Sequence, residues 1–299
     1  MNAPAVTAPE VSLRSNSTAG KRLFDGVFRV VLYAALGIAL AALAALLWRT
    51  WDEGKGAVGW HLIEKQPSER PARAGIQSGV FGTLLVTGLC AVLAIPVGIA
   101  TALYLEEFAR KDRWYNRLLD VNIQNLAAVP SIVYGILGLA FIARGPLGWG
   151  PTVQTAGFIL ALLVLPTVII ASREAIRAVP GSLSSGSLAL GATKWQTVRK
   201  QVLPAAIPGI ATGSILSVSR AIGETAPLLL LGGLTFLKQN PTSLDDRYTT
   251  VPLMIYSYAT SPKAELREIA AASIIMLMIL ILILNGVAIL IRNKFQRRW

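Results

Sequence analysis

Six stretches of this chain are apolar over about the thickness of a bilayer: residues 27–48, 79–105, 118–142, 154–172, 205–237 and 266–291. At a rise of about 1.5 Å per residue, about 20 such residues cross a hydrocarbon core of about 30 Å. Lipid offers no partner to backbone N–H and C=O groups, so an uninterrupted apolar segment must satisfy them itself, by coiling into a helix. The reading is an all-α polytopic membrane protein with six transmembrane helices. A soluble chain of 299 residues would spread its apolar side chains in short periodic stripes; here they come in blocks, and only 15% of residues are charged.

Residues 1–20, rich in Ala, Pro, Ser and Thr, are expected to form a disordered cytoplasmic tail. Residues 21–78 hold the first transmembrane helix and an outer loop, 79–291 the other five spans, and 292–299 a basic cytoplasmic tail. The first apolar block outruns the apolar core of a cleaved signal and reads as a retained span. An even number of crossings puts both termini on one side, and the basic residues choose which. With the amino terminus inside, the cytoplasmic segments hold Arg14, Lys21, Arg22, Arg29, Arg110, Lys111, Arg113 and Arg117. They continue with Arg173, Arg177, Lys194, Arg199, Lys200, Arg292, Lys294, Arg297 and Arg298. The outer loops mix fewer basic residues with Asp52, Glu53, Glu64, Asp245 and Asp246, so both termini are expected in the cytoplasm. The net charge of +12 is therefore membrane-flanking charge, and no aromatic-interleaved basic stripe points to nucleic acid. Cys90 and His61 are each the sole residue of their type, which leaves no disulfide and no His/Cys metal site.

Within the fifth span, Arg220 and Glu224 stand four residues apart. A charged residue at a bilayer centre costs about 2.5–3.5 kcal/mol on insertion scales. On one helix face the two can meet each other or a passing ion, so the pair is either a permanent salt bridge or part of a pathway. Prolines punctuate four consecutive spans: Pro96, Pro130, Pro166, then Pro208 and Pro227. Each removes a donor and frees a carbonyl. Most are read as kinks, and Pro227, ahead of Gly232 and Gly233, as a broken helix beside a pathway. The fifth span would run about 50 Å as a straight helix, so its start projects or its end bends. Asn125, Ser131 and Tyr134 surround Pro130 and either cross-link helices or line a pore. Gly209/Gly213 and Gly135/Gly138 have the spacing of close helix packing. Glu106, Glu107, Arg110, Lys111 and Arg113 are expected as a solvated turn.

Between the fourth and fifth spans, Pro180-Gly181 ends a helix. Ser187–Leu190 reads as a short apolar turn, and Thr193 and Gln196 have the spacing of a capping box that starts a second short helix. Two brief helices thus meet at Gly191-Ala192, whose small side chains permit close approach. Leu188, Leu190 and Trp195 have no lipid to bury them and suit a partner's groove. No Gly-x-x-x-x-Gly-Lys-[Ser/Thr] loop is present, and the glycines at 145, 148 and 150 lie in an outer loop. With no nucleophile–base pair either, the chain reads as a conduit, not an enzyme.

Gly191, followed by Leu203 and Pro204, resembles the Gly…Leu-Pro spacing of the EAA loop, which docks the membrane subunits of ATP-binding-cassette importers onto their ATPase. Ser185 stands where that loop usually has glutamate, and Gln201 where it usually has an apolar residue. Four segments narrow the likeness: residues 104–107 (Tyr-Leu-Glu-Glu), 122–138 around Pro130, 190–195 (Leu-Gly-Ala-Thr-Lys-Trp) and 219–227 (Ser-Arg-Ala-Ile-Gly-Glu-Thr-Ala-Pro). Together they resemble the PstA-type permeases of bacterial phosphate importers, over about residues 75–290.

That resemblance implies a type I ABC importer permease domain over 79–291, with a coupling loop at about 181–204, in the bacterial cytoplasmic membrane. The partners it implies are a PstC-type permease, two PstB-type ATPase subunits and an external phosphate-binding protein. It implies no cofactor on this chain, ATP and Mg2+ being held by the ATPase. Coupling to that ATPase would involve Ser185, Leu188, Leu190, Gly191, Ala192, Trp195, Leu203 and Pro204. The substrate pathway would hold Arg220, Glu224, Asn125, Ser131 and Tyr134. A guanidinium offers two parallel donors to phosphate oxygens, and a carboxylate can accept the P–OH proton that sulfate lacks at neutral pH. The expected mechanism is alternating access. The other readings are an ABC permease for molybdate or phosphonate, a secondary transporter using the pair as a proton relay, and a scaffold or sensor subunit.

Overall fold

A computed structural model of the protein describes residues 19–110, 112–233 and 236–295. The expected tail of residues 1–20 lies almost wholly outside them, as do Lys111, Arg297 and Arg298. The chain divides into two compact units, Met1–Arg49 and Thr50–Trp299. Most of helix α1 (Ala19–Gly54) belongs to the first, and its apolar residues from Phe24 to Trp48 are exposed on every side.

The second unit continues with α2 (Trp60–Glu64), α3 (Gln77–Leu103), α4 (Trp114–Ala128), α5 (Ser131–Leu137), α6 (Val153–Arg177), α7 (Gly181–Ala189), α8 (Lys194–Thr197), α9 (Leu203–Gly223), α10 (Ala226–Leu230), α11 (Val251–Ala259) and α12 (Ala264–Phe295). Wider π-helical turns extend α3 through Tyr104–Phe108 and α5 through Gly138–Ala143, and Val198–Val202 joins α8 to α9. Among the described residues five segments are long and apolar enough to cross a membrane, and six if a bent pair is counted as one span.

The bent pair is the expected third span. Where the sequence suggested a kink at Pro130, the helix stops at Ala128, resumes at Ser131 and turns by 100°. The fifth span breaks near Pro227 as expected: α9 ends at Gly223, and α10 follows as a separate short helix. Part of the expected outer loop that follows it packs into the protein. Tyr248, Leu253, Met254 and Tyr258 are fully buried in it. Tyr248 donates its hydroxyl to the Leu228 carbonyl at 2.7 Å and Tyr258 to that of Gly75 at 2.9 Å. Burial pushes the Tyr258 phenol up to about 12.

Helix α6 is the axis of the core. Its Val153, Ala156, Ile159, Leu160, Val164 and Val168 pack with Val86, Cys90 and Ala94 of α3. No side chain caps its start; instead the N–H groups of Val153 and Gln154 donate to the carbonyls of Asp246 and Leu244, at 3.0 and 2.9 Å. The Asp246 carboxylate accepts from the backbone N–H groups of Thr242 and Ser243, which hold it below the usual carboxylate range and shape that capping loop. Gly209 and Gly213 of α9 face Ala175 and Ala171 of α6, so the expected close packing is present there.

Gly82 of α3 lies against the Thr249 carbonyl, and a methyl group there would collide with backbone oxygen. Gly88 on the same helix has open space around it. Gly82→Ala should destabilise the purified protein by about 1–3 kcal/mol, as overpacking does, while Gly88→Ala changes it by no more than about 1 kcal/mol. Thermal unfolding in one detergent compares the two.

Candidate functional site

The break at Pro130 is paired with a second break at Glu224. Proline has no N–H, so the Leu126 carbonyl loses its usual helical donor; it accepts instead from the Tyr134 hydroxyl at 3.0 Å and the Val129 N–H at 3.2 Å. Pro227 likewise leaves the Gly223 carbonyl without its donor, and the Thr225 hydroxyl stands 3.4 Å from it. The short helices beyond the breaks then meet. A side chain at Gly135 of α5 would strike the backbone of Pro227 in α10, its Cβ falling 2.7 Å from the proline Cα. Leu126 to Tyr134 and Gly223 to Pro227 are thus two discontinuities whose short helices pack on each other, Gly135 against Pro227 and Gly138 against Leu231.

Arg220 lies in the last turn of α9 and Glu224 just past its end, in extended conformation with φ −71° and ψ 121°. The two do not share a helix face, as the spacing suggested; the carboxylate reaches back across the helix end. Arg220 Nε is 3.5 Å from Glu224 Oε1, with the arginine side chain 63% exposed and the glutamate 16%. Arg220, Ser131 and Tyr134 line one crevice with Leu126, Val129, Leu163 and Thr167, about 20 Å³ in volume, which is room for about one water. Asn125 is exposed on α4 and does not line it. Thr167 does, and nothing in its neighbourhood in the sequence pointed there; only the return of α6 past Arg220 brings it in.

A larger cleft of about 900 Å³ opens between α3, α9 and α12. Its walls are mostly apolar, with Ser219 bonded to Asn285 and Arg292 donating to Thr212 at 2.7 Å. Neither Arg220 nor Glu224 faces it.

The loop between α6 and α9 forms the two expected short helices, but the turn expected over Ser187–Leu190 begins only at Leu190: Gly181–Ala189 is helical throughout. The capping box is present, Gln196 N–H donating to Thr193 Oγ1 at 3.3 Å and Thr193 N–H to Gln196 Oε1 at 2.9 Å. Gly191 serves a purpose other than close approach. It has φ +84° with nothing within 4 Å of a notional Cβ. Its N–H donates to the Leu188 carbonyl at 2.9 Å and that of Ala192 to Ser187 at 3.2 Å, the paired bonds of a left-handed helix stop. Ser187 Oγ and Thr197 Oγ1, 2.9 Å apart, tie the two helices together.

Leu190 is 91% exposed on this loop, with Leu188 and Trp195 also exposed beside it. Ser185 is exposed, its hydroxyl bonded to the Gly181 carbonyl, and Ala192 is half-buried. Leu203 and Pro204 part from this group: Leu203 packs on Ala102, Ile176 and Val202, and Pro204 lines the large cleft.

Of the charges expected in a solvated turn at the end of α3, Arg110 and Arg113 are exposed, but Glu106 is not. The Glu106 side chain is 6% exposed and accepts from Arg173 Nε at 2.6 Å and from Arg177 Nη2 at 2.7 Å. Arg173 also reaches Asp120 of α4 at 2.5 Å. Glu106 thus ties the end of α3 to α6, and Arg173 through Asp120 ties α6 to α4. Sequence spacing gave no signal for it, because the three partners come from three helices.

A fold of proline-broken helices with an exposed two-helix loop has a counterpart among known families. Residues 94–299 match the family described as "Binding-protein-dependent transport system inner membrane component". The chain belongs to that family. It is 35% identical over 289 residues to the phosphate transport system permease protein PstA 1 of Mycobacterium tuberculosis (strain CDC 1551 / Oshkosh), covering 94% of this chain and 92% of that protein. It is 29% identical over 248 residues to the phosphate transport system permease protein PstC of Haemophilus influenzae, covering 74% and 77% of the two chains. Among solved structures, a bacterial ABC transporter involved in alginate import shares the fold, with a TM-score of 0.65 at 18% identity over 92% of this chain and all of that one (100%). The family member is thus a multi-pass ABC importer permease, a transporter membrane component rather than a catalyst.

Glu106→Gln removes the shared carboxylate and leaves Arg173 with Asp120 alone. It should cost about 3 kcal/mol, as breaking a buried pair does. Glu174→Gln breaks only an exposed pair with Arg177, 65% and 46% exposed, and should cost less than about 1 kcal/mol. Thermal unfolding of both variants tests the contrast.

Proposed function

We propose that this permease carries inorganic phosphate inward as one half of an ATP-driven importer. Its partners on this reading are a PstC-type permease, two PstB-type ATPase subunits holding ATP and Mg2+, and an external phosphate-binding protein. The observation that carries the reading is Arg220, a largely exposed guanidinium at the junction of two broken helices. A charge there is costly unless an anion or a partner chain meets it. The names of the relatives supply phosphate as the anion. Glu224 holds Arg220 between ions and accepts the P–OH proton, which favours phosphate over sulfate. Ser131 and Tyr134 border the same path and Asn125 its approach. Both termini lie in the cytoplasm on this reading, so the loop bearing Leu190 faces the ATPase.

The mechanism is alternating access. ATP-driven closure of the ATPase subunits moves the loop around Gly191 through Ser185, Leu188, Leu190, Ala192 and Trp195, with Leu203 and Pro204 carrying the motion into α9. The narrow crevice opens as α5 and α10 separate, first outward to receive the ion and then inward to release it.

In proteoliposomes holding the complete importer, Arg220→Ala should lower ATP-dependent phosphate uptake by at least about tenfold, since charged hydrogen bonds contribute about 1.5–3 kcal/mol. Glu224→Gln should keep some uptake but let sulfate compete. Unchanged uptake in the first variant, or unchanged selectivity in the second, removes the role assigned to that residue.

Leu190 makes little contact within its own chain, so Leu190→Asp leaves the permease fold intact. The expected result is a permease that inserts normally and no longer co-purifies with the ATPase subunit. Retention of the ATPase would place its docking site elsewhere.

A further inference from the structure

Phe108 closes the π-helical turn that ends α3. Its ring lies 6.3 Å, centroid to centroid, from that of Trp195, tilted by 43°. Lys194 Nζ stands over the same ring, 5.5 Å from its centre. Both distances fall within the range of aromatic and cation–π contacts. The ring is therefore held by two successive residues of α8, the second short helix of the exposed loop.

Two residues earlier in the same turn, Glu106 is gripped by Arg173 and Arg177 near the end of α6. Beneath it, Ala102 of α3 packs with Ile176, Val202 and Ala206. Because α7 and α8 are joined by the Ser187–Thr197 contact, they move as a piece. A displacement of that piece reaches α9 along the chain. Through Phe108 it also reaches α3 sideways, and through Glu106 and Arg173 it passes to α6 and α4. Five residues thus form a contiguous line from the loop to three spans: Trp195, Lys194, Phe108, Glu106 and Arg173.

We propose that Phe108 is a positioning residue for energy coupling: it transmits movement of the α7–α8 loop to the ionic clamp at Glu106 and so to the helices around the crevice. This inference rests on the importer reading above. Its consequence is a separation of two quantities. Shortening Phe108 should leave the ATPase subunit bound with unchanged affinity, because Leu190 and its neighbours still present the docking surface. The message between ATPase and crevice should be what is lost.

The test uses the complete importer in proteoliposomes with phosphate-loaded binding protein. Phe108→Ala should lower the stimulation of ATP hydrolysis by loaded binding protein at least about fivefold, the lower end of usual coupling between sites, and phosphate uptake with it. Phe108→Tyr, which keeps the ring, should retain both. Titration with purified ATPase subunit should give the same affinity for wild type and Phe108→Ala. If wild type itself shows no stimulation, the importer reading fails and takes this inference with it. If wild type is stimulated and Phe108→Ala equally so, the inference alone is overturned. A weaker ATPase affinity in Phe108→Ala would make Phe108 a docking residue and also overturn it. Should Phe108→Ala fail to assemble, Phe108→Leu keeps apolar bulk without the ring; an assembled but unstimulated Phe108→Leu complex supports the proposal, and failure of both to assemble overturns it in favour of simple structural support.

Discussion

Lipid's refusal to hydrogen-bond the backbone governs most of what is distinctive in this chain. Long helices meet that demand within themselves, so the four unbroken spans need little comment. The two broken ones must find substitutes. At Pro130 the orphan carbonyl of Leu126 takes the Tyr134 hydroxyl, and past Pro227 the Thr225 hydroxyl stands by Gly223. At the end of α10 the Leu228 carbonyl takes both the Tyr248 hydroxyl and the Gly233 N–H. The polar side chains of these segments are therefore first of all backbone partners. Arg220 and Glu224 satisfy neither freed carbonyl; they pair with each other across the end of α9.

The same demand explains which parts of the architecture the sequence announces. Apolar block length reveals the spans because helical hydrogen bonding is local, and the capping box at Thr193 and Gln196 is readable for the same reason. Gly191 is readable as special, though the spacing suggested contact where the backbone in fact requires a left-handed stop. Pro130 and Pro227 are visible, but a proline does not declare whether its helix kinks or ends. That choice rests on whether a distant group can satisfy the freed carbonyl and whether a neighbour packs against the broken end, here Gly135 on Pro227. Glu106 reads as a surface charge until α6 returns with Arg173 and Arg177. Of the candidate site, Arg220, Ser131 and Tyr134 converge, whereas Asn125 stays apart, because the 100° bend rotates α4 away from its continuation.

Charge is used in two ways at the two ends of the core. At Glu106 a buried carboxylate and the buried Arg173 are tightly paired, with Arg177 and Asp120 partly exposed at the edge, which joins three helices. At Arg220 the pair is loose, at 3.5 Å, and the guanidinium is mostly open. A tight, dry pair resists rearrangement, while a loose, wet one exchanges partners readily. The fold thus places its rigid ionic joint beside the two-helix loop and its exchangeable one beside the crevice.

The hydroxyl that caps the break at Pro130 has a mechanical consequence. To bend an intact helix through 100°, several main-chain bonds would have to rupture in a medium that cannot replace them. Here the bend already exists, and the bond across it comes from a phenol on a rotatable side chain. A water molecule on the Leu126 carbonyl would satisfy it as the phenol does, so breaking the Tyr134 bond need not leave that carbonyl unpaired. The third span is thus closed at its break partly by a replaceable side-chain bond.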